Sequence, residues 1–189
     1  MKLAKLLIAL ATATVALAAC TTAASANHLS SSTQAFSTHW TNAEFIGGFG
    51  TLRCSLTYEG SFHARSINKT PELLIGFIVR ASVGPCPATV LQATLPWHIR
   101  YAGFAGDLPT IRSITTRIIG LAFQIQEPTF RITCLFVSTV SSPATESYNL
   151  TAGSVTSVTF GGVSMPCGSL TARLGGTSSS NTAQTITLI

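Results

Sequence analysis

Thr51 to Tyr58 alternates without a break. Leu52, Cys54, Leu56 and Tyr58 point one way, and Thr51, Arg53, Ser55 and Thr57 the other. A period of two marks a strand with one buried face. Glu59-Gly60 then reads as a turn into residues 61–67, the second arm of a hairpin. Leu73 to Val79 is almost wholly apolar between Pro71 and Gly84-Pro85, which predicts a strand buried on both faces, with a short helix as the alternative. Residues 89–95 and 97–104 follow, divided by Pro96, with Trp97, Ile99 and Tyr101 facing away from His98 and Arg100. The run 111–126 is long for one strand, and Gly120 in its middle predicts a bulge or a bend between two. Phe130 to Val137 alternates again, with Phe130, Ile132, Cys134 and Phe136 inward. Residues 154–160, 169–174 and 185–188 complete the set, with loops expected at 141–147 and 175–181. The pattern predicts an all-β fold, an antiparallel β-sandwich or barrel of about nine or ten short strands.

The N-terminus has a different pattern. Lys2 and Lys5 precede an uncharged apolar run, Leu6 to Ala19. Fourteen residues are too few to span a bilayer as a helix, which takes about twenty. The run reads as the apolar part of an export signal covering residues 1–26. Two cleavage sites compete. Leu17-Ala18-Ala19-Cys20 has the form of a lipobox, in which Cys20 is lipidated and becomes the first mature residue. Ala24-Ser25-Ala26 is an A-x-A site that leaves Asn27 first. Residues 27–43 read as a flexible N-terminal segment and 44–189 as a single β domain.

Four further cysteines remain: Cys54, Cys86, Cys134 and Cys167. An even number in an exported chain reads as two disulfides. Cys54 and Cys86 are 32 residues apart, Cys134 and Cys167 are 33, and the flanking segments are alike. Thr51-Leu52-Arg53-Cys54 parallels the approach to Cys134, and Val83-Gly84-Pro85-Cys86 parallels Val163-Ser164-Met165-Pro166-Cys167. This suggests bridges Cys54–Cys86 and Cys134–Cys167 in a two-fold repeat; coincidence among Thr-rich strands is the competing explanation.

Composition narrows the function classes. Only 9% of residues are charged, while Ser and Thr number 48 of 189. Coiled coil and charge-rich disorder are excluded. After cleavage at Ala26 the nine basic and six acidic residues leave a net charge of +3. The arginines are dispersed along the chain rather than gathered in a stripe, so no nucleic-acid partner is expected. There is no G-x-S-x-G, and Gly162-Val163-Ser164-Met165-Pro166 breaks at its last position. A dispersed triad from His39, His63 or His98 with Asp107 is the form a hydrolase could still take. The six acids sit mostly beside Gly or Pro at turns, and His28, His39, His63 and His98 lack metal-ligand spacing. No metal, cofactor or catalytic residue is expected. The remaining chemistry is aromatic. Trp40, Tyr58, Trp97, Tyr101 and Tyr148 could offer flat faces to a glycan or an apolar ligand. Trp97 and Tyr101 share a face with Ile99 and suit a core equally well; Trp40, ahead of the first strong strand, is the better surface candidate. Asn68-Lys69-Thr70 and Asn149-Leu150-Thr151 match the glycosylation sequon, silent in a bacterium. A transmembrane barrel suits the short alternating strands, but not the four cysteines or the C-terminal Ile189.

Residues 54–63, Ala88-Thr89-Val90-Leu91, Leu95-Pro96-Trp97-His98-Ile99-Arg100-Tyr101 and Gly106-Asp107-Leu108-Pro109 resemble uncharacterised secreted proteins of actinobacteria. The cysteine strand and Leu-Pro-Trp are more faintly similar to small secreted activators of bacterial alkane oxidation. The first resemblance implies an exported bacterial protein and carries over no catalytic residue. The expectation is a non-enzymatic, extracytoplasmic protein of the cell envelope with a binding or structural role. It meets the membrane only through a lipid at Cys20. A glycan- or apolar-ligand-binding module using Trp40, Trp97 and Tyr101 is the alternative, and a secreted hydrolase the third.

Overall fold

The computed structural model describes residues 28–189 except 49, 93, 108, 128, 130–131, 168–169 and 181–182; the side chains of 92, 127, 132, 162–167, 170–173 and 178–180 are outside the description. The expected export signal 1–26 and Cys20 lie outside the described residues. Every regular element among the described residues is a strand, fourteen in all. In chain order they are β1 (His28–Ser31), β2 (Ala35–Gly47), β3 (Gly50–Phe62), β4 (Ser66–Asn68), β5 (Leu74–Val83), β6 (Thr89–Gln92) and β7 (Trp97–Ala105). They continue with β8 (Ser113–Ile119), β9 (Ala122–Glu127), β10 (Ile132–Val137), β11 (Ala144–Thr151), β12 (Ser154–Cys167), β13 (Leu170–Ser180) and β14 (Ile186–Leu188).

Eight of them close into an antiparallel barrel in the order β11-β12-β13-β2-β3-β5-β7-β8. β11 returns to β8, pairing Ala144 with Ile118 through Asn149 with Ser113, so the barrel wall has no free edge. Of the two architectures expected, the barrel is the one formed. An eight-stranded barrel has an interior just wide enough to fill with side chains. Here the alternating residues fill it: Phe36, Trp40 and Phe45 from β2, Leu52 to Tyr58 from β3, Trp97 to Tyr101 from β7 and Tyr148 from β11 are buried. The sheet β10-β9-β6 closes one end. Phe123 packs on Trp97 at 5.2 Å and on Phe45 at 6.0 Å between ring centroids, and Phe136 on Phe45 at 5.4 Å. The sheet β14-β1-β4 lies where β2 begins and β3 ends, and buries Leu29, Ile67 and Ile186.

Several expectations are corrected. The stretch 27–43 is not a flexible lead-in: from His28 it forms β1 and most of β2, with Trp40 and Ala43 in the core. Small polar residues there alternate with Leu29, Phe36 and Trp40, which is enough to fix a barrel strand. The strand count exceeds nine or ten because three- and four-residue strands (β1, β4, β14) pair with partners far along the chain. Glu59-Gly60 is not a turn. β3 runs straight through it with a register shift against β5. Nor is β5 buried on both faces, since Phe77 is only half-buried and Val79 is exposed. A barrel wall has an outside. The two-fold repeat fails as structure: Cys54 lies in the barrel wall on β3, whereas Cys134 lies on β10 in the capping sheet. Their flanking likeness is the pattern any half-buried Thr-rich strand shows. The predicted break at Gly120, where φ is +82°, does separate β8 from β9.

Cys54 and Cys86 form a disulfide, with Cα atoms 4.4 Å apart, joining β3 to the β5–β6 loop. Gly84 N–H donates to Ser55 O at 2.9 Å, and Ser55 N–H to Pro85 O at 3.3 Å. The other expected bridge involves Cys167, whose side chain is outside the described residues.

Candidate functional site

The aromatic candidates lie inside the barrel. Trp40 is 1% exposed, Trp97 0% and Tyr101 2%. Trp40 sits between Tyr58 and Phe160, at centroid distances of 6.3 and 5.6 Å, and Trp97 donates its indole N–H to Thr94 O at 2.5 Å. All three are core, which removes Trp40 as a surface platform.

One carboxyl group lies inside the barrel. Glu146 is 0% exposed, opposite Thr116 on β8 and Phe160 on β12. Its Oε2 accepts from Tyr148 OH at 2.8 Å and from Thr116 Oγ1 at 3.5 Å. Burial raises its pKa to about 8, against a smaller lowering by the Tyr148 hydrogen bond. Burial, and the neighbouring Glu146, also push the Tyr148 phenol well above its ordinary value. The space beside Trp40 and Phe160 is about 10 Å³, room for one water at most. Glu146 itself is wholly buried, and among the described residues its Oε1 has no hydrogen-bond partner.

The outer wall carries the concavities large enough for a ligand. Opposite Glu59 and Gly60, β5 holds one extra residue: Glu59 pairs with Arg80 and Gly60 with Ile78, leaving Val79 between them. A bulge of this kind turns successive side chains to one side. Val79 is 53% exposed, and Arg80 reaches Glu59 at 3.5 Å across the strands. Gly60 is required, because a Cβ there would collide with the Phe77 carbonyl and the Phe36 ring. The result is a shallow trough of about 600 Å³, lined by Thr33, Ala35, Ser37, Ser61, Val79 and Arg80. It continues into a hollow of about 310 Å³ that shares Glu59, Val79 and Arg80 and ends at Thr57, Ser82 and Leu95. From Thr57 to His63 the wall runs roughly 20 Å at the strand rise.

Beyond Ser61 the trough leads onto a row of rings. Phe77 pairs with Ser61 on one side and His98 on the other. His63 stacks beside Phe77 at 4.8 Å, and Phe77 meets His98 at 5.3 Å. Both histidines are exposed. Two residues further along β7, Arg100 faces Arg117 of β8 in direct cross-strand register. Glu72 serves both: its carboxylate is paired with Arg117 through Oε1, and its carbonyl accepts from Arg100 Nη1 at 3.3 Å. Glu72 stands at φ +65° in the turn before β5, held by its N–H donating to Tyr101 O at 2.8 Å. Lys69 lies over the Phe104 ring at 5.5 Å.

Reading the sequence sets His98 on the face of its strand away from Trp97, Ile99 and Tyr101, and there it is exposed; His63 follows the end of β3 and is exposed too. The same reading misses Phe77 and Val79, hidden in a run that looks wholly apolar. The only local signal is Pro and Gly around that run; the bulge depends on pairing with β3. Among the described residues the outer face carries the Arg53–Glu44 and Arg80–Glu59 ion pairs, and Trp40, Phe45, Tyr58, Trp97, Tyr101 and Tyr148 are buried. No family model, curated protein or solved structure matches the chain.

Proposed function

We propose that this chain is an exported, non-enzymatic binding protein of the bacterial cell envelope, and that it takes an extended ligand along the outer wall from Thr57 to His98. The observation that carries the reading is the continuity of the trough with the His63–Phe77–His98 row over a barrel filled by its own rings. A site on a rigid closed wall is pre-organised, so binding costs little ordering. The Cys54–Cys86 bridge suits an oxidising compartment. Residues 1–26 as an export signal, Cys20 as a lipid acceptor and the likeness to secreted actinobacterial proteins belong to the same reading. So does a Cys134–Cys167 bridge: Cys134 is disulfide-bonded, and β10 packs on β12, which ends at Cys167.

The test is co-sedimentation of the folded protein with purified cell-wall material. The wild type is expected in the pellet, and Ser61→Trp, which fills the trough from outside the core, in the supernatant. Wild type left in solution, or Ser61→Trp pelleting equally, overturns the reading.

A further inference from the structure

Charge is unevenly spread over the outer wall. Three carboxylates are matched one to one with arginines: Glu44 with Arg53 at 3.0 Å, Glu59 with Arg80 at 3.5 Å and Asp107 with Arg112 at 3.7 Å. Glu146 is inside the barrel and adds nothing to the surface. Among the described residues four further cations remain, at the ends of β4 and on β7 and β8, with Lys69 Nζ over the Phe104 ring. Arg65 and Lys69 flank β4, and Arg100 and Arg117 lie side by side on β7 and β8, against the single carboxylate of Glu72. Among the described residues, no carboxylate lies within ion-pair distance of Arg65, Lys69 or Arg100.

Cations placed opposite each other repel unless an anion lies between them. Here the half-exposed Glu72 carboxylate pairs with Arg117, while Arg100 has only the Glu72 carbonyl, which leaves the neighbourhood positive. Next to it stand flat rings on a solvent-facing wall. Rings pack against the C–H faces of sugars, and guanidinium and ammonium groups pair with acid groups.

We propose that the ligand of this wall is an anionic polysaccharide, its sugar faces on His63, Phe77 and His98 and its acid groups toward Arg65, Lys69 and Arg100. The inference rests on the binding role proposed above and names its ligand class. A nucleic acid fits less well. Phosphate binding is carried by a row of cations along the backbone, and here Arg117 is already paired with Glu72 and Arg100 with the Glu72 carbonyl.

The experiment is affinity electrophoresis of the mature protein in native gels containing polygalacturonate, neutral dextran or single-stranded DNA, with Arg65→Ser/Lys69→Ser and Phe77→Ser beside the wild type. Retardation is expected in polygalacturonate alone, falling as salt is raised. The double charge variant is expected to bind about tenfold more weakly, as the loss of two exposed charge contacts implies. Phe77→Ser is expected to weaken binding at every salt concentration. Equal retardation of wild type and double variant, or stronger retardation by DNA, overturns the proposal. Retardation by dextran that Ser61→Trp abolishes and the charge variant keeps leaves the outer-wall role standing and removes the anionic ligand. Cell-wall binding indifferent to Ser61→Trp removes both.

Discussion

Glu146→Gln separates the electrostatics of the barrel interior from its packing. In the folded chain the Glu146 carboxyl has its pKa raised from 4.5 to about 8 by burial. The folded state therefore holds a proton that the unfolded state releases between these two values. Stability falls as pH rises wherever the folded form binds more protons. The loss begins near pH 4.5 and is complete above pH 8. Each unit is worth about 1.36 kcal/mol, so the full interval comes to about 5 kcal/mol. Domains of this size are stable by roughly 5–15 kcal/mol, so one carboxyl takes a substantial share at alkaline pH. Glutamine has the same shape and no charge. Its carbonyl can still accept from Tyr148, but its amide N–H groups need acceptors that the neutral carboxyl did not, at about 1–3 kcal/mol. Urea unfolding followed by circular dichroism at pH values on either side of 8 gives the comparison. Wild type is expected to be the more stable at about pH 5 and the Glu146→Gln variant the more stable at about pH 9, with the curves crossing between. Parallel curves would refute the claim that Glu146 is enclosed by neutral partners.

Replacing Cys54 and Cys86 together by Ser is expected to lower stability by about 2–4 kcal/mol, read as a drop in unfolding midpoint with the β spectrum retained. Gly60→Val should cost several kcal/mol, since its side chain must displace the Phe36 ring or the Phe77 carbonyl; a melting temperature equal to wild type would refute the close approach at the bulge. Trp97→Ala removes the ring that Phe123 caps, and is expected to cost about 3–5 kcal/mol by chemical denaturation. Both tryptophans being buried, acrylamide should quench the folded protein poorly and the unfolded chain strongly.

The local half of this fold is legible in the residues. The period-two face of β3, the inward set Trp97, Ile99 and Tyr101 and the break at Gly120 all follow from neighbours within a few positions. The Cys54–Cys86 spacing also points to a bridge that forms. Closure of the sheet is not legible. It depends on β11 finding β8 and β13 finding β2, pairings set by tertiary packing over long sequence separations. Trp40 is misplaced by local pattern for the same reason. Thr38, His39, Thr41 and Asn42 around it look like a solvated lead-in until β3 and β13 flank that strand and turn the indole inward. The site is legible least. His63, Phe77 and His98 come from three separate stretches and meet only through the registers of β3, β5 and β7. Arg100 and Arg117 likewise become neighbours across one strand pair. Along the chain there is a scatter of arginines and an apolar run, and the barrel turns these into a cross-strand pair and a trough.

The central claim is that this barrel binds with its outer wall because its interior is occupied by its own side chains. Amide and indole chemical shifts, followed in solution while a short polygalacturonate is added, test it directly. The signals of Ser61, His63, Phe77, Val79 and His98 are expected to move together with saturation, while the indole N–H signals of Trp40 and Trp97 stay in place. Large shifts at the two indoles with the outer-wall amides unmoved would contradict it.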